Sequence, residues 1–347
     1  MKEYLSRHRF TRGRTDRLAV FGWLVIGLFV LSAVFAGFLA PYDHSAQSRT
    51  EPSAPATAIH FSGLRPIIHP RIVEDPLRRT YTEDTSVAIP IEFIVRGYSY
   101  KLLGVTETDL HLFGVRNSSG IAARINLLGT DPLGRDRFSR LLYAMRFSLI
   151  VAFSGVLVAC LVGILLGGVS GYAGRRVDMF LMGATDAMIA LPTLILILGV
   201  RAAFPLELPM SRAALLLLLI FALTGWAEMA RLTRGLVLSL RNREFVVAAV
   251  ALGVSQTRVL FRHILPNILP SLRTRALLLL PTFLLAEVAL SYLGVGLQEP
   301  EPSLGNMLTA ASDLDQLRSQ PFNILAPALA VLLFTLAIRL VGRNERA

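Results

Sequence analysis

The run Leu18-Ala-Val-Phe-Gly-Trp-Leu-Val-Ile-Gly-Leu-Phe-Val-Leu-Ser-Ala-Val-Phe-Ala-Gly-Phe-Leu-Ala40 contains no charged side chain. A bilayer core about 30 Å thick needs roughly 20 mostly apolar residues per helix, so this run can span one. It exceeds the roughly 7 to 15 residues of a signal-peptide core, and no A-x-A site precedes Pro41, so it reads as an uncleaved anchor. Residues 1–17 carry Lys2, Arg7, Arg9, Arg12, Arg14 and Arg17 and read as a basic cytoplasmic N-terminus, with 18–40 as the first transmembrane helix.

The rest of the chain repeats the pattern. Further apolar stretches at about 144–169, 178–201, 212–232, 274–297 and 322–342 bring the expected spans to six, with both termini cytoplasmic. Composition agrees, since 53% of the 347 residues are hydrophobic and only 17% are charged, against roughly 25% charged in a soluble domain. The formal net charge of +11 rests almost wholly on arginine, because Lys2 and Lys101 are the only lysines. On this map the arginines collect in the inside segments, at Arg175, Arg176, Arg231, Arg234, Arg241, Arg243, Arg258, Arg262, Arg273, Arg275, Arg339, Arg343 and Arg346. Topology therefore accounts for the basic balance, and a nucleic-acid surface is not expected.

Between the first two spans lies an extracytoplasmic insertion, 41–140, with twelve Lys/Arg against eleven Asp/Glu. Residues 41–60 are rich in Pro, Ser, Ala and Thr and read as a linker. Val87, Ile89, Ile91, Phe93 and Val95 alternate as in a half-buried strand, and Arg96-Gly97 followed by Tyr98, Tyr100 and Leu102 predicts a hairpin turn. Pro90 argues that the first of these strands is an edge. The fold class is thus an all-α membrane protein of six transmembrane helices with a small β-containing extracytoplasmic insertion. Residues 141–347 form a five-helix core that holds a cytoplasmic loop at 235–272.

Several chemistries are excluded or unsupported. No G-x-x-x-x-G-K-[ST] loop occurs, and neither lysine could serve one. G-x-S-x-G and H-E-x-x-H are absent, no two of the six histidines stand at i, i+4, and the single cysteine, Cys160, permits neither a disulfide within the chain nor a thiolate metal cluster. No metal site is expected, and Cys160 reads as a small hydrophobe.

The most informative cytoplasmic stretch is Glu244-Phe-Val-Val-Ala-Ala-Val-Ala-Leu-Gly253-Val-Ser-Gln-Thr-Arg-Val-Leu-Phe-Arg-His-Ile-Leu-Pro-Asn267. It predicts two short helices: Gly253 stops the first in a left-handed conformation, Pro266 stops the second, and Ala248, Ala249 and Ala251 offer a surface of small residues to another protein. The alternative is an ordinary juxtamembrane amphipathic helix.

Ala248-Ala249, three residues, Gly253, then Leu265-Pro266 resembles the signature cytoplasmic loop of ABC importer permeases, Glu-Ala-Ala-x3-Gly-x9-Ile-x-Leu-Pro. Val247 stands where that pattern has Glu, with Glu244 nearly one turn away, and His263 stands where it has Ile. Leu128-Gly-Thr-Asp-Pro-Leu-Gly-Arg-Asp-Arg-Phe-Ser-Arg-Leu-Leu-Tyr143, running on to Ser148, resembles the dipeptide and oligopeptide permease subfamily, as does Glu287-Val-Ala-Leu-Ser-Tyr-Leu-Gly-Val-Gly-Leu-Gln298. Leu304 departs from that subfamily's Trp. The resemblance implies ATPase-coupling roles for Glu244, Ala248, Ala249, Gly253, His263, Leu265 and Pro266. It implies structural roles for Gly129, Asp131, Gly134, Arg135, Asp136, Ser139, Arg140 and Gly294. It also implies a homologous second permease, two ATP-binding subunits and an extracytoplasmic solute-binding protein, with no cofactor on this chain because partner subunits bind the ATP. The chain is then a non-enzymatic subunit of the bacterial inner membrane that carries peptides or similar solutes.

Within the spans, Glu287 reads equally as a wall group of a solute pathway or as interhelical glue. Asp186 and Glu228 are expected to pair with nearby arginines, and Pro192 and Pro281 to kink their helices. The sequon Asn117-Ser-Ser119 carries meaning only in a secretory pathway that glycosylates. Two rivals stand beside the importer reading. An ion-coupled secondary transporter would show inverted repeats and several buried charges, and no such repeat is found. An extracytoplasmic sensor or assembly factor would need only an anchor, and five further spans exceed that.

Overall fold

The structure is a computed structural model that describes residues 2–75, 79–102, 104–115, 123–205 and 208–344. The sequon at Asn117 and Arg346 lie outside the described residues. Among the described residues, five helices are long and apolar enough to cross a membrane, or six if one bent pair counts as a span.

Helix α1 (Lys2–Val34) and the short α2 (Ala36–Leu39) take up the first predicted span, separated by a break at Phe35. Helix α3 (Arg137–Tyr172) is about 54 Å long at 1.5 Å per residue and contains the second span. The third predicted span is not one helix. It forms α4 (Arg175–Ala190) and α5 (Thr193–Ala202), bent by 92° at Leu191-Pro192. The residue before a proline is pushed out of the helical region, and Leu191 is extended at φ −73°, ψ 128°, so Pro192 breaks this helix instead of kinking it. Helices α6 (Met210–Leu240), α7 (Glu244–Ala251), α8 (Gln256–Arg258) and α9 (Leu265–Tyr292) follow, with a π-helical turn at Val259–Ile264 between α8 and α9. Residues 298–320, between the last two predicted spans, contain α10 (Leu304–Leu308), a 3-10 turn (Thr309–Ser312) and α11 (Leu314–Ser319). Helix α12 (Pro321–Asn344) is the last span. Pro270 and Pro281 remain inside α9, and Pro327 inside α12.

The chain divides into two compact units. The first comprises Met1–Leu24, Ile150–Glu287 and Thr335–Ala347. Its contact between α3 and α6 is built on missing side chains. A Cβ on Gly163 would lie 2.6 Å from Met229 Cβ, and one on Gly171 would lie 2.9 Å from Val237 Cβ, so at these points the backbone itself is the contact surface. Phe221 and Phe283 stack in the same unit, 4.5 Å apart and 12° from parallel, joining α6 to α9.

The second unit comprises Val25–Leu149 and Val288–Phe334. It contains β1 (His60–Ser62), β2 (Arg65–Ile68), β3 (Arg71–Asp75), β4 (Thr80–Glu83), β5 (Ile89–Leu102) and β6 (Thr106–Val115). Strands pair antiparallel in the order β1-β2-β5-β6, with β3-β4 as a separate ribbon. Ile68, Ile89, Ile91, Ala123 and Ile125 form its buried core.

Three expectations about the insertion are corrected here. No turn falls at Arg96-Gly97; β5 runs straight through it with an irregularity between Arg96 and Tyr100, and the chain reverses at Gly104, φ +75°. Gly97 serves close approach, since a Cβ there would lie 2.7 Å from the His111 ring. Pro90 does not mark an edge strand, for β5 lies between β2 and β6. Pairing with β6 begins only at Ile91, so the missing N–H of Pro90 falls at the start of the strand. Finally, 41–60 is not simply a linker: Ser53 N donates to Asp131 O (2.8 Å), Thr57 N to Asn126 O (2.9 Å) and Thr130 N to Ala54 O (2.9 Å).

Candidate functional site

Two clusters bring the sequence-predicted residues together, one in each unit. In the first unit, α7 and the helical run from Gln256 form a hairpin around Gly253. Arg243, extended at φ −73°, ψ 149°, caps the start of α7, and Glu244 lies in its first turn, where a carboxylate complements the helix dipole. The far end closes as a Schellman motif: Gly253 N donates to Val250 O (2.9 Å) and Val254 N to Ala249 O (3.1 Å), with Gly253 at φ +81°. The left-handed stop expected at Gly253 is present, and nothing lies within 4 Å of where its Cβ would stand.

The two alanines do not share a face. Ala248 is exposed, whereas Ala249 is 8% exposed and joins Val246, Val259, Leu260 and Ile264 on the buried side. The outward surface is apolar but not small, for Phe245, Val247, Val250 and Leu252 are exposed on it, Leu252 at 84%. Glu244 is exposed, His263 and Leu265 are half-buried, and Pro266 is exposed.

Pro266 does not end the second helix. A regular α-helix would drive the proline ring into the carbonyl four residues earlier and would lack one donor. Here the preceding turn widens to π geometry, with Leu265 N donating to Leu260 O, and the helix continues into α9. Asn267 Nδ2 donates to His263 O (2.6 Å) beside the proline. Gln256–Tyr292 is consequently one helical run of 37 residues, about 55 Å long.

In the second unit, residues 129–140 fold into a turn held by charged side chains. Asp131 Oδ1 accepts the amides of Leu133 and Arg135, each at 2.9 Å, and Gly129 and Gly134 take φ +68° and +73°. Arg135 Nε donates to Asp131 Oδ2 (2.6 Å), and its Nη1 to Glu299 Oε2 (2.7 Å). Arg140 Nη2 reaches both oxygens of Glu299 (2.7 and 2.9 Å), while its Nη1 donates to the carbonyls of Pro300 (3.1 Å) and His44 (3.3 Å). Asp136, fully buried, accepts from Ser139 N and Ser139 Oγ, both at 2.7 Å. Burial dominates its titration and pushes the carboxyl up to about 6, against the lowering effect of the serine bonds. Burial likewise pushes the Tyr42 phenol up to about 12; its oxygen accepts Ile125 N (2.9 Å) and Arg124 lies over its ring at 4.3 Å. Gly294 takes φ +74° after α9, and Leu304 is buried with its amide donating to Ser148 Oγ (3.3 Å).

Sequence reasoning missed Glu299 and Glu51. Glu299 lies between the last two predicted spans and is the shared partner of Arg135 and Arg140. Glu51 Oε2 accepts from Asn126 Nδ2 (2.6 Å) inside the supposed linker. Among the span charges, Asp186 pairs with Arg231 (2.5 Å) and Glu228 with Arg275, as expected. Asp178 adds a third pair with Arg234 and also accepts from Ser170 Oγ (2.6 Å). Glu287 is fully buried.

Helices of this number and length, two of them joined through a capped hairpin at 244–267, describe a multi-pass membrane protein. Residues 163–344 match the family described as binding-protein-dependent transport system inner membrane component, and residues 6–55 match the N-terminal TM domain of oligopeptide transport permease C. The chain belongs to this family of binding-protein-dependent permeases and is a multi-pass inner membrane protein. It is 27% identical to the oligopeptide transport system permease protein OppC of Bacillus subtilis, over 99% of this chain and 88% of the relative. It is 36% identical to the dipeptide transport system permease protein DppC of Alkalihalophilus pseudofirmus, over 63% of this chain and 69% of the relative. The oligopeptide transport system permease protein OppC of Haemophilus influenzae is 31% identical over 64% of this chain and 68% of the relative. The family is a transport subunit and not an enzyme.

Proposed function

We propose that this chain carries oligopeptides or dipeptides as one of two homologous permease subunits in an ATP-driven importer. Two ATP-binding subunits would dock on the hairpin at 244–267, and a solute-binding protein would deliver peptide on the face of the β-containing insertion. Both termini are then cytoplasmic, and 41–140 is extracytoplasmic. Peptide as the solute follows the relatives, which are oligopeptide and dipeptide permeases.

The observation that carries the coupling role is the hairpin itself, with apolar side chains turned outward and a continuous helical run behind it. An exposed apolar knob on a rigid mount suits a groove in a partner subunit. Displacement of the knob when the ATP-binding subunits close would be handed along about 55 Å of continuous helical run toward Tyr292. Each state of the importer would then be held by its own set of helix contacts, and ATP would bias their populations. The bend at Leu191-Pro192 supplies the break in the wall that such rearrangement uses.

Uptake of a labelled oligopeptide into proteoliposomes containing the copurified complex and its binding protein tests this reading. Uptake that requires ATP inside the lumen facing the hairpin, and that ignores proton and sodium gradients, supports it. Uptake driven by an ion gradient without ATP would select the secondary-transporter alternative.

A further inference from the structure

A groove of about 420 Å³ runs between the C-terminal part of α12 and the middle of α9, entirely within the first unit. Its apolar wall is Leu278 and Pro281, with the exposed Thr282 beside them, and its other side carries Arg339, Gly342 and Arg343. The two arginines stand at i, i+4 and therefore on one face of α12, both exposed. Among the described residues neither forms an ion pair with a carboxylate, in contrast to Arg231, Arg234 and Arg275 of the same unit.

Gly342 lets the α12 backbone approach the trough closely, for a Cβ there would stand 3.2 Å from Leu278 Cδ2. The groove thus pairs an apolar trough with two guanidinium groups at the end of a membrane helix. Phosphate suits the guanidinium fork, and the trough suits a hydrocarbon chain. A free inorganic anion would leave the trough unused. Arginines at this depth also reach the headgroup layer by extending along their own stems.

We propose that this groove binds one anionic phospholipid of the leaflet that meets the C-terminal end of α12, with Arg339 and Arg343 on its phosphate and an acyl chain over Leu278, Pro281 and Gly342. The chemistry asks for a net negative headgroup and excludes preference for a zwitterionic one.

Native mass spectrometry of the full chain, purified with its copurifying subunits and titrated with phosphatidylglycerol or phosphatidylcholine, tests the site. The wild type is expected to retain phosphatidylglycerol in preference to phosphatidylcholine. Substituting both Arg339→Gln and Arg343→Gln should weaken phosphatidylglycerol roughly thirtyfold, the loss of two surface cations. Thr282→Trp should block the trough and displace the lipid while keeping both charges. Since Arg339 and Arg343 are exposed, the double variant retains the fold and stands alone if the tryptophan does not assemble. Equal retention of phosphatidylglycerol by all forms overturns the proposal. So does displacement of the lipid by an equal concentration of inorganic phosphate, or quantitative cross-linking of Thr282→Cys to another subunit, which would make the groove a subunit interface.

Discussion

Replacing Glu299 by Gln removes the charge that Arg135 and Arg140 share in the turn at 129–140. The variant leaves Arg140 with the Pro300 and His44 carbonyls and the Asp131 carboxylate 3.9 Å away, and leaves Arg135 with Asp131. The Arg140 side chain is 3% exposed and the Arg135 side chain 8%, so water can replace the lost carboxylate only from the Glu299 side. Removing one member of a buried pair costs about 3–5 kcal/mol. The Glu299 carboxylate is itself 50% exposed, and water there screens the pair, which reduces the expected cost to about 2 kcal/mol. That corresponds to a roughly thirtyfold rise in the opening equilibrium of the turn. Hydrogen exchange of the detergent-solubilised complex reads it directly, because Arg135 N, Arg137 N and Arg140 N all donate within the turn. Glu107→Gln, at an exposed pair with Lys101 3.9 Å away, is the control and should change nothing. If 129–140 exchanges at the wild-type rate in Glu299→Gln, the turn is held by its backbone alone and the charge argument fails.

Titration offers a second test at Asp136. Its carboxyl is raised to about 6 in the folded chain, so between about pH 4 and 6 the folded state holds a proton that the unfolded state has released. Stability from this group is therefore present at pH 4 and lost as pH rises through 6, on the order of 2–3 kcal/mol at most. Asp136→Asn should lack that slope, and unfolding curves of the two proteins that stay parallel from pH 4 to 7 would contradict the assignment. Topology is tested by labelling cysteines at two exposed serines: Ser239→Cys should react only with cytoplasmic reagent and Ser86→Cys only from outside, and the reverse pattern would invert the map.

Local signals proved the most legible. Gly253 announced its left-handed stop, and Asp186 and Glu228 announced a need for arginine partners, because both demands arise from the residue itself. The six-span reading survives with one span broken, since the leucine-rich runs fix lengths while only the proline geometry at 191–192 fixes the bend. Long-range partners were not legible: Glu299 meets Arg140 from 159 positions away, and no periodicity connects them. Gly97 misled for a physical reason, because a glycine needed to admit the His111 ring looks the same in sequence as one needed for a turn. Pro266 misled similarly, for a stop and a π-widened turn begin from one steric conflict. The division of Ala248 from Ala249 depends on which face of α7 meets Val259 and Leu260, and a run of small apolar residues does not specify a face.

The hairpin's role as the point where ATP-driven motion enters the permease is tested most directly at Gly253. Its Cβ position is open, so Gly253→Asp introduces no clash within the chain. It imposes a left-handed conformation on a residue with a side chain, about 1–2 kcal/mol, and sets a carboxylate on the outward apolar surface. The measurement is ATP-dependent peptide uptake by the reconstituted Gly253→Asp complex, with the amount of copurifying ATPase recorded in the same preparation. The expected result is a normally inserted permease that has lost its ATPases or hydrolyses ATP without uptake. Full ATPase binding with uptake at the wild-type rate would reduce 244–267 to an interfacial helix and contradict the coupling assignment.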